Sequence, residues 1–172
     1  MIMNFRFKTA VFNALLLTFF VFASGSAYSA GNPALWKYTT KGDFNTVLSQ
    51  VKTSLEAKQF MISGEDNLSK GLENNKAVLG GDKWNTIGFG NVTAVHFCSL
   101  VFNQKVFNMS MDMSILCPFK VVVYNMKKNP DEIHILMVKP TYLLKYEGKK
   151  AQAAGKEIES KITSAIEEGA HK

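Results

Sequence analysis

Only two cysteines and four prolines occur in the 172-residue chain, and Arg6 is its sole arginine. The shortage of cysteine removes whole classes of chemistry. There is no Cys-x-x-Cys and no Cys-x-x-Cys-His, so the usual signatures of thioredoxin-like exchange and covalent c-type haem attachment are missing. Gly-x-Ser-x-Gly, His-Glu-x-x-His, a P-loop and a dinucleotide-type glycine motif are missing too. The stretch VLGGDK (78–83) has two glycines but no helix start and no Lys-Ser/Thr, and reads as a loop. Lysines dominate the basic residues and are dispersed, with only Lys127-Lys128 and Lys149-Lys150 adjacent. No basic stripe interleaved with aromatics results, so nucleic acid is not an expected partner. Such a surface leaves open a weak attraction to anionic lipid headgroups.

A strongly apolar run of the ~20 residues that cross a bilayer is also lacking. The longest candidate, Val11–Ala23, follows Arg6 and Lys8 and precedes a stretch of small residues. A positive region, a short apolar region and a small-residue cleavage zone make a secretory signal peptide. Cuts after Ala27, Ser29 or Ala30 fit, although the last puts Tyr28 where a small residue is preferred. The expectation is a periplasmic or secreted protein, with residues 1–30 as the signal peptide and 31–172 as one domain without a membrane span. Loss of Arg6 and Lys8 lowers the net charge from +6 to +4.

What is present suffices for a core: 47% of residues are hydrophobic and 20% charged, a balance that argues against global disorder. No internal repeat, low-complexity tract or Pro/Ser linker divides the chain. ALWKYTT (34–40) alternates as a strand does. Asp43 then stands as an N-cap before Phe44, Val47, Leu48, Val51 and Leu55, whose steps of three and four define one helical stripe. Residues 59–62 read as a strand and 63–85 as mostly loop. The second half of 86–102 is strand-like, with His96 and Cys98 on one face by period two. A short helix is expected over 103–112, and a hairpin pairs 119–126 with 132–138 around Lys128–Asp131. A last helix from about Lys150 to Glu168 aligns Ala154, Ile158, Ile162, Ala165 and Ile166. In it Glu157 and Lys161 are spaced to pair, and Gly169 is placed to end it. The order strand–helix–strands–helix implies an α+β fold, an antiparallel sheet with two main amphipathic helices packed on one face.

Two stretches carry a resemblance. VHFCSLVF (95–102) places Cys98 at the start of a turn into a short helix, and ILCPFKVVVYN (115–125) places Cys117-Pro118 before a strand. Together they resemble the domain of unknown function 302 family, over roughly residues 34–168. The first turn reads Cys-Ser-Leu where the family has Cys-Asn-Pro, and the second has Cys and Pro in reversed order. The resemblance implies a small α+β domain and homodimers among its members. It implies no agreed reaction.

The residues themselves suggest several sites. An exported chain with an even cysteine count makes a Cys98–Cys117 disulfide an expectation that spacing alone does not settle. His96, Cys98, Met109, Met111, Met113 and Cys117 are soft donors of the kind Cu(I) prefers. If NMSMDMS (108–114) is extended, its methionines project together; if helical, they fan apart, and adaptable core filling is the competing reading. Cys98 beside His96 could be a nucleophile only as an accessible thiolate. Phe97, Phe102, Phe107, Phe119 and Tyr124 cluster near the same segment. They pack a core or line an apolar pocket between sheet and helices, for a small hydrophobic ligand or a haem with His96 or a Met as axial ligand. The ligand-contact set is His96, Phe97, Cys98, Cys117 and Tyr124. The overall expectation is an exported binding protein without enzymatic activity. A copper- or haem-handling protein and a thiol redox enzyme using Cys98 and Cys117 stand as alternatives.

Overall fold

Alternation in LWKYTTK builds strand β1 (Leu35–Lys41), with Trp36 and Tyr38 turned toward the interior. The structure is a computed structural model describing residues 31–171; the expected signal peptide lies outside the described residues. After β1, the Asp43 carboxylate accepts from the Thr46 N–H at 2.8 Å and from its hydroxyl at 2.9 Å. That cap starts helix α1 (Phe44–Ala57), and all five residues of the expected stripe are buried. There follow β2 (Met61–Asn67), α2 (Leu68–Asn74), β3 (Phe89–Cys98) and α3 (Leu100–Phe107). A 3-10 segment (Met111–Leu116) leads to β4 (Phe119–Met126), β5 (Asn129–Val138), the single turn α4 (Pro140–Leu143) and α5 (Lys149–Ala170).

The five strands form one antiparallel sheet in the order β1-β5-β4-β3-β2. The fold is therefore α+β. Period two in the central strands sends Val121, Val123, Ile133 and Ile135 to one face, where Val51 and Leu55 of α1 and Ile162 and Ile166 of α5 meet them. Removing each such side chain from water is worth about 1.5–3 kcal/mol. On the opposite face, carrying Lys37, Val122, Tyr124, His134 and Leu136, no helix is laid across the middle among the described residues, and the face is only half-buried.

Four local expectations need correction. The strand expected to end at residue 62 continues to Asn67, because β3 supplies pairing partners up to Thr93 opposite Asn67. A polar sequence can occupy an edge strand exposed on one side. The helix expected over 103–112 begins earlier, where the Ser99 hydroxyl caps the Phe102 N–H, and gives way to the 3-10 segment. Gly169 does not end α5. It lies within the helix against α1, where a Cβ would sit 2.8 Å from the Gln50 carbonyl oxygen and 2.9 Å from the Val51 Cα. Glu157 pairs with Lys105 of α3 and not with Lys161, whose ammonium lies 5.5 Å over the Phe60 ring.

Candidate functional site

The two ends of the sheet differ in character. β1 starts, β5 ends, β4 starts, β3 ends and β2 starts at the same end, as the pairs Leu35–Val138, Phe97–Phe119 and Met61–Cys98 require. At that end Cys98 and Cys117 are joined, with S–S 2.06 Å and Cα atoms 5.7 Å apart. The bond ties the close of β3 to the turn before β4. The Asn103 side-chain N–H donates to the Cys117 sulfur at 3.1 Å, which fixes α3 to the same turn. Among the described residues there is no free cysteine, so neither sulfur is a thiolate in this state.

The expected donors do not converge on a point. His96 shares the open face with Cys98, as period two requires, but its Nε2 lies 2.9 Å from an Asp66 carboxylate oxygen on β2. Met113 is buried in the core, while Met109 and Met111 face solvent. The 3-10 geometry thus fans the sulfurs apart, the outcome expected of a helical NMSMDMS segment. With the cysteine sulfurs bonded to each other, the set does not fit a copper ion.

Phe97 also lies away from any surface site. It is fully buried on the helix side, edge-on to Phe60 at 5.3 Å and tilted against Phe119 at 5.8 Å. Between sheet and helices, where a pocket was expected, the core side chains are excluded from solvent, and α1 and α5 come into close contact at Gly169. Tyr124 does lie on the open face, stacked on His134 with ring centroids 4.8 Å apart. His134 was not singled out from sequence. Its Nδ1 is 3.1 Å from the Thr39 hydroxyl and its Nε2 3.2 Å from Glu132. The register of the hairpin, Tyr124 opposite His134, was the signal that could have found it.

The open face does hold an apolar concavity of about 190 Å³, beside the disulfide-bound turn. Leu35 of β1, Val122 of β4 and Leu136 of β5 form its floor, with Ile115, Pro118 and Leu143 as walls and Lys120 at the rim. These residues come together because Val122 is opposite Leu136 while Leu35 is opposite Val138 in the adjoining pair. A cavity near 150 Å³ lined by aliphatic side chains holds a benzene-sized guest. This one suits a single ring or part of a medium-length aliphatic chain and is too small to enclose a porphyrin. None of His96, Met109, Met111 or Met113 lines it. None of the expected contact residues His96, Phe97, Cys98, Cys117 and Tyr124 lines it; the lining comes from residues 115–116 and 118–119 and from β1, β4, β5 and α4.

These features define a class: a small α+β domain whose sheet is covered on one face and open on the other. A family model described as "Domain of unknown function DUF302" matches residues 36–169, and the chain belongs to that family. The crystal structure of an uncharacterized conserved DUF302 protein from Bacillus stearothermophilus is similar, with a TM-score of 0.66 and 16% identity. The match covers 80% of this chain and 98% of that one, and at this identity it speaks for the fold. No curated protein matches the chain.

Proposed function

We propose that the protein is an exported, non-enzymatic binding domain that takes a small apolar ligand in the open-face groove. The observation that carries this reading is the groove itself. Its walls and floor are aliphatic, yet Ile115 is 84% exposed, so apolar surface is held in water at a concave site. A pocket of this kind, largely apolar with few polar groups, is the ordinary form of a small-molecule site. Lys120 at the rim favours ligands whose polar end is anionic. The disulfide supports export, since such bonds persist in oxidising compartments. It speaks equally against thiolate chemistry at Cys98 in that setting.

Isothermal titration with medium-chain fatty acids, using protein from the periplasm or medium, tests the reading. Saturable binding that is lost in Val122→Trp, which fills the floor from the solvent side, is the expected result. No heat for the wild-type protein, or equal heat for the variant, contradicts it. Intact mass of the exported protein tests the signal peptide: an N-terminus at Tyr28, Ala30 or Gly31 is expected, and a chain retaining Val11–Ala23 refutes cleavage.

A further inference from the structure

Large apolar side chains are exposed unevenly. Of the fourteen that stand exposed among the described residues, five lie between Leu68 and Ile87. The other nine are at the disulfide end of the sheet, including Leu100, Val101, Met111, Ile115, Leu143 and Tyr146, the last 88% exposed. Monomeric proteins rarely collect exposed apolar side chains in this way without a partner for them.

Charge follows the same division. Segments 98–120 and 138–150, both at this end, carry six lysines against two acidic residues, Asp112 and Glu147. That excess equals the whole +4 of the chain from Gly31. Lys105 is already paired with Glu157. Among the described residues Lys120, Lys139, Lys145, Lys149 and Lys150 form no ion pair, and Lys120, Lys149 and Lys150 line concavities together with Ile115, Leu143 and Met109. The Lys145 ammonium sits 4.0 Å over the Tyr142 ring and 4.7 Å over Tyr146, so aromatic and cationic groups occur together at the tip. Apolar side chains backed by Tyr and Lys are the composition of a surface that lies in a bilayer interface.

From this arrangement we infer that the disulfide end of the molecule docks on an anionic lipid bilayer. Exposed apolar tips enter the headgroup–acyl boundary while the lysines meet lipid phosphates. The inference does not rest on the groove holding a ligand, because most of the exposed residues lie outside it.

Co-sedimentation of residues 31–172, which contain the entire core, tests the inference with phosphatidylcholine vesicles prepared with and without phosphatidylglycerol. Binding should require phosphatidylglycerol and weaken as salt shortens the Debye length from ~10 Å to ~3 Å. Each lysine near an anionic surface is worth about a fivefold change in partition, so Lys145→Gln, Lys149→Gln and Lys150→Gln together should lower it by about 100-fold. Ile115→Ser, at a site too exposed to affect folding, should lower it about tenfold. Val122→Trp should sediment as wild type even if it abolishes fatty-acid binding, which separates the two proposals. Failure to sediment with anionic vesicles, or partition unchanged by the lysine and Ile115 variants, overturns the inference. So does a concentration-dependent dimer that Ile115→Ser dissolves, since a second copy would then own the surface.

Discussion

Replacing Gly169 by alanine tests the packing that closes the covered face. On an unobstructed helix this change favours the folded state by up to about 1 kcal/mol, because alanine is the better helix former. Here the added Cβ would lie 2.8 Å from the Gln50 carbonyl oxygen, 2.9 Å from the Val51 Cα and 3.0 Å from the Ser54 Cβ. Two of those atoms are backbone, so relief requires α1 and α5 to part by a few tenths of an ångström. That separation would loosen the contact of Val51 and Leu55 with Ile162 and Ile166. Overpacking of this kind costs about 1–3 kcal/mol and outweighs the propensity gain. The net expectation is a loss of about 1–2 kcal/mol, or about 3–8 °C in Tm. Gly71→Ala in α2 is the internal control, because nothing lies within 4 Å of its new Cβ. It should gain about 0.5 kcal/mol. Urea denaturation followed by far-UV circular dichroism reads both. A Gly169→Ala protein at least as stable as wild type would refute the close approach of the two helices.

Other outcomes follow from the same structure. Cys98→Ser with Cys117→Ser opens a loop of sequence separation 19 and should lower stability by about 3 kcal/mol on the chain-entropy model, leaving a folded protein; an unchanged urea midpoint would refute that role. Asn125 is buried, accepts from the Asn91 N–H at 2.7 Å and donates to the Pro130 carbonyl at 2.7 Å. Asn125→Leu strands both groups and should cost about 2–3 kcal/mol by urea denaturation, whereas a neutral effect would show them resolvated. The Asp43 carboxyl is held below its ordinary 3.8, chiefly by the Thr46 N–H and then by the Thr46 hydroxyl. Its contribution is therefore complete above that value and drains away as pH falls through the lower folded-state value. Asp43→Ala should lower the urea midpoint at neutral pH, and the gap from wild type should narrow in acid; a gap that widens there would contradict the cap.

Much of this fold is legible in sequence, and most of the exceptions share a cause. The stripe Phe44 to Leu55 and the face Ala154 to Ile166 are local periodicities, and the structure keeps both. The Tyr124 hairpin and the shared face of His96 and Cys98 are local too. Apart from the start of α3, which a local Ser99 cap sets, what failed depended on partners distant in sequence. Asn67 is a strand residue because Thr93 pairs with it, and Glu157 turns away from Lys161 because Lys105 reaches it from α3. Gly169 looks the same as a helix terminator or as a contact point with α1; only the crossing of the two helices distinguishes them. The groove was hidden for a related reason. Period two says that Val122 and Tyr124 share a face, but it does not say which face the helices cover.

The groove is therefore where the account is most exposed to test. Amide and methyl chemical shifts of isotope-labelled protein, recorded while a medium-chain fatty acid is added, locate any bound ligand directly. Saturable shifts at Leu35, Ile115, Val122 and Leu136, with Val51, Leu55 and Ile162 unmoved, are the expected result. Shifts confined to the interior between sheet and helices or to His96 and Met109–Met113, or none at all, would contradict a binding site on the open face.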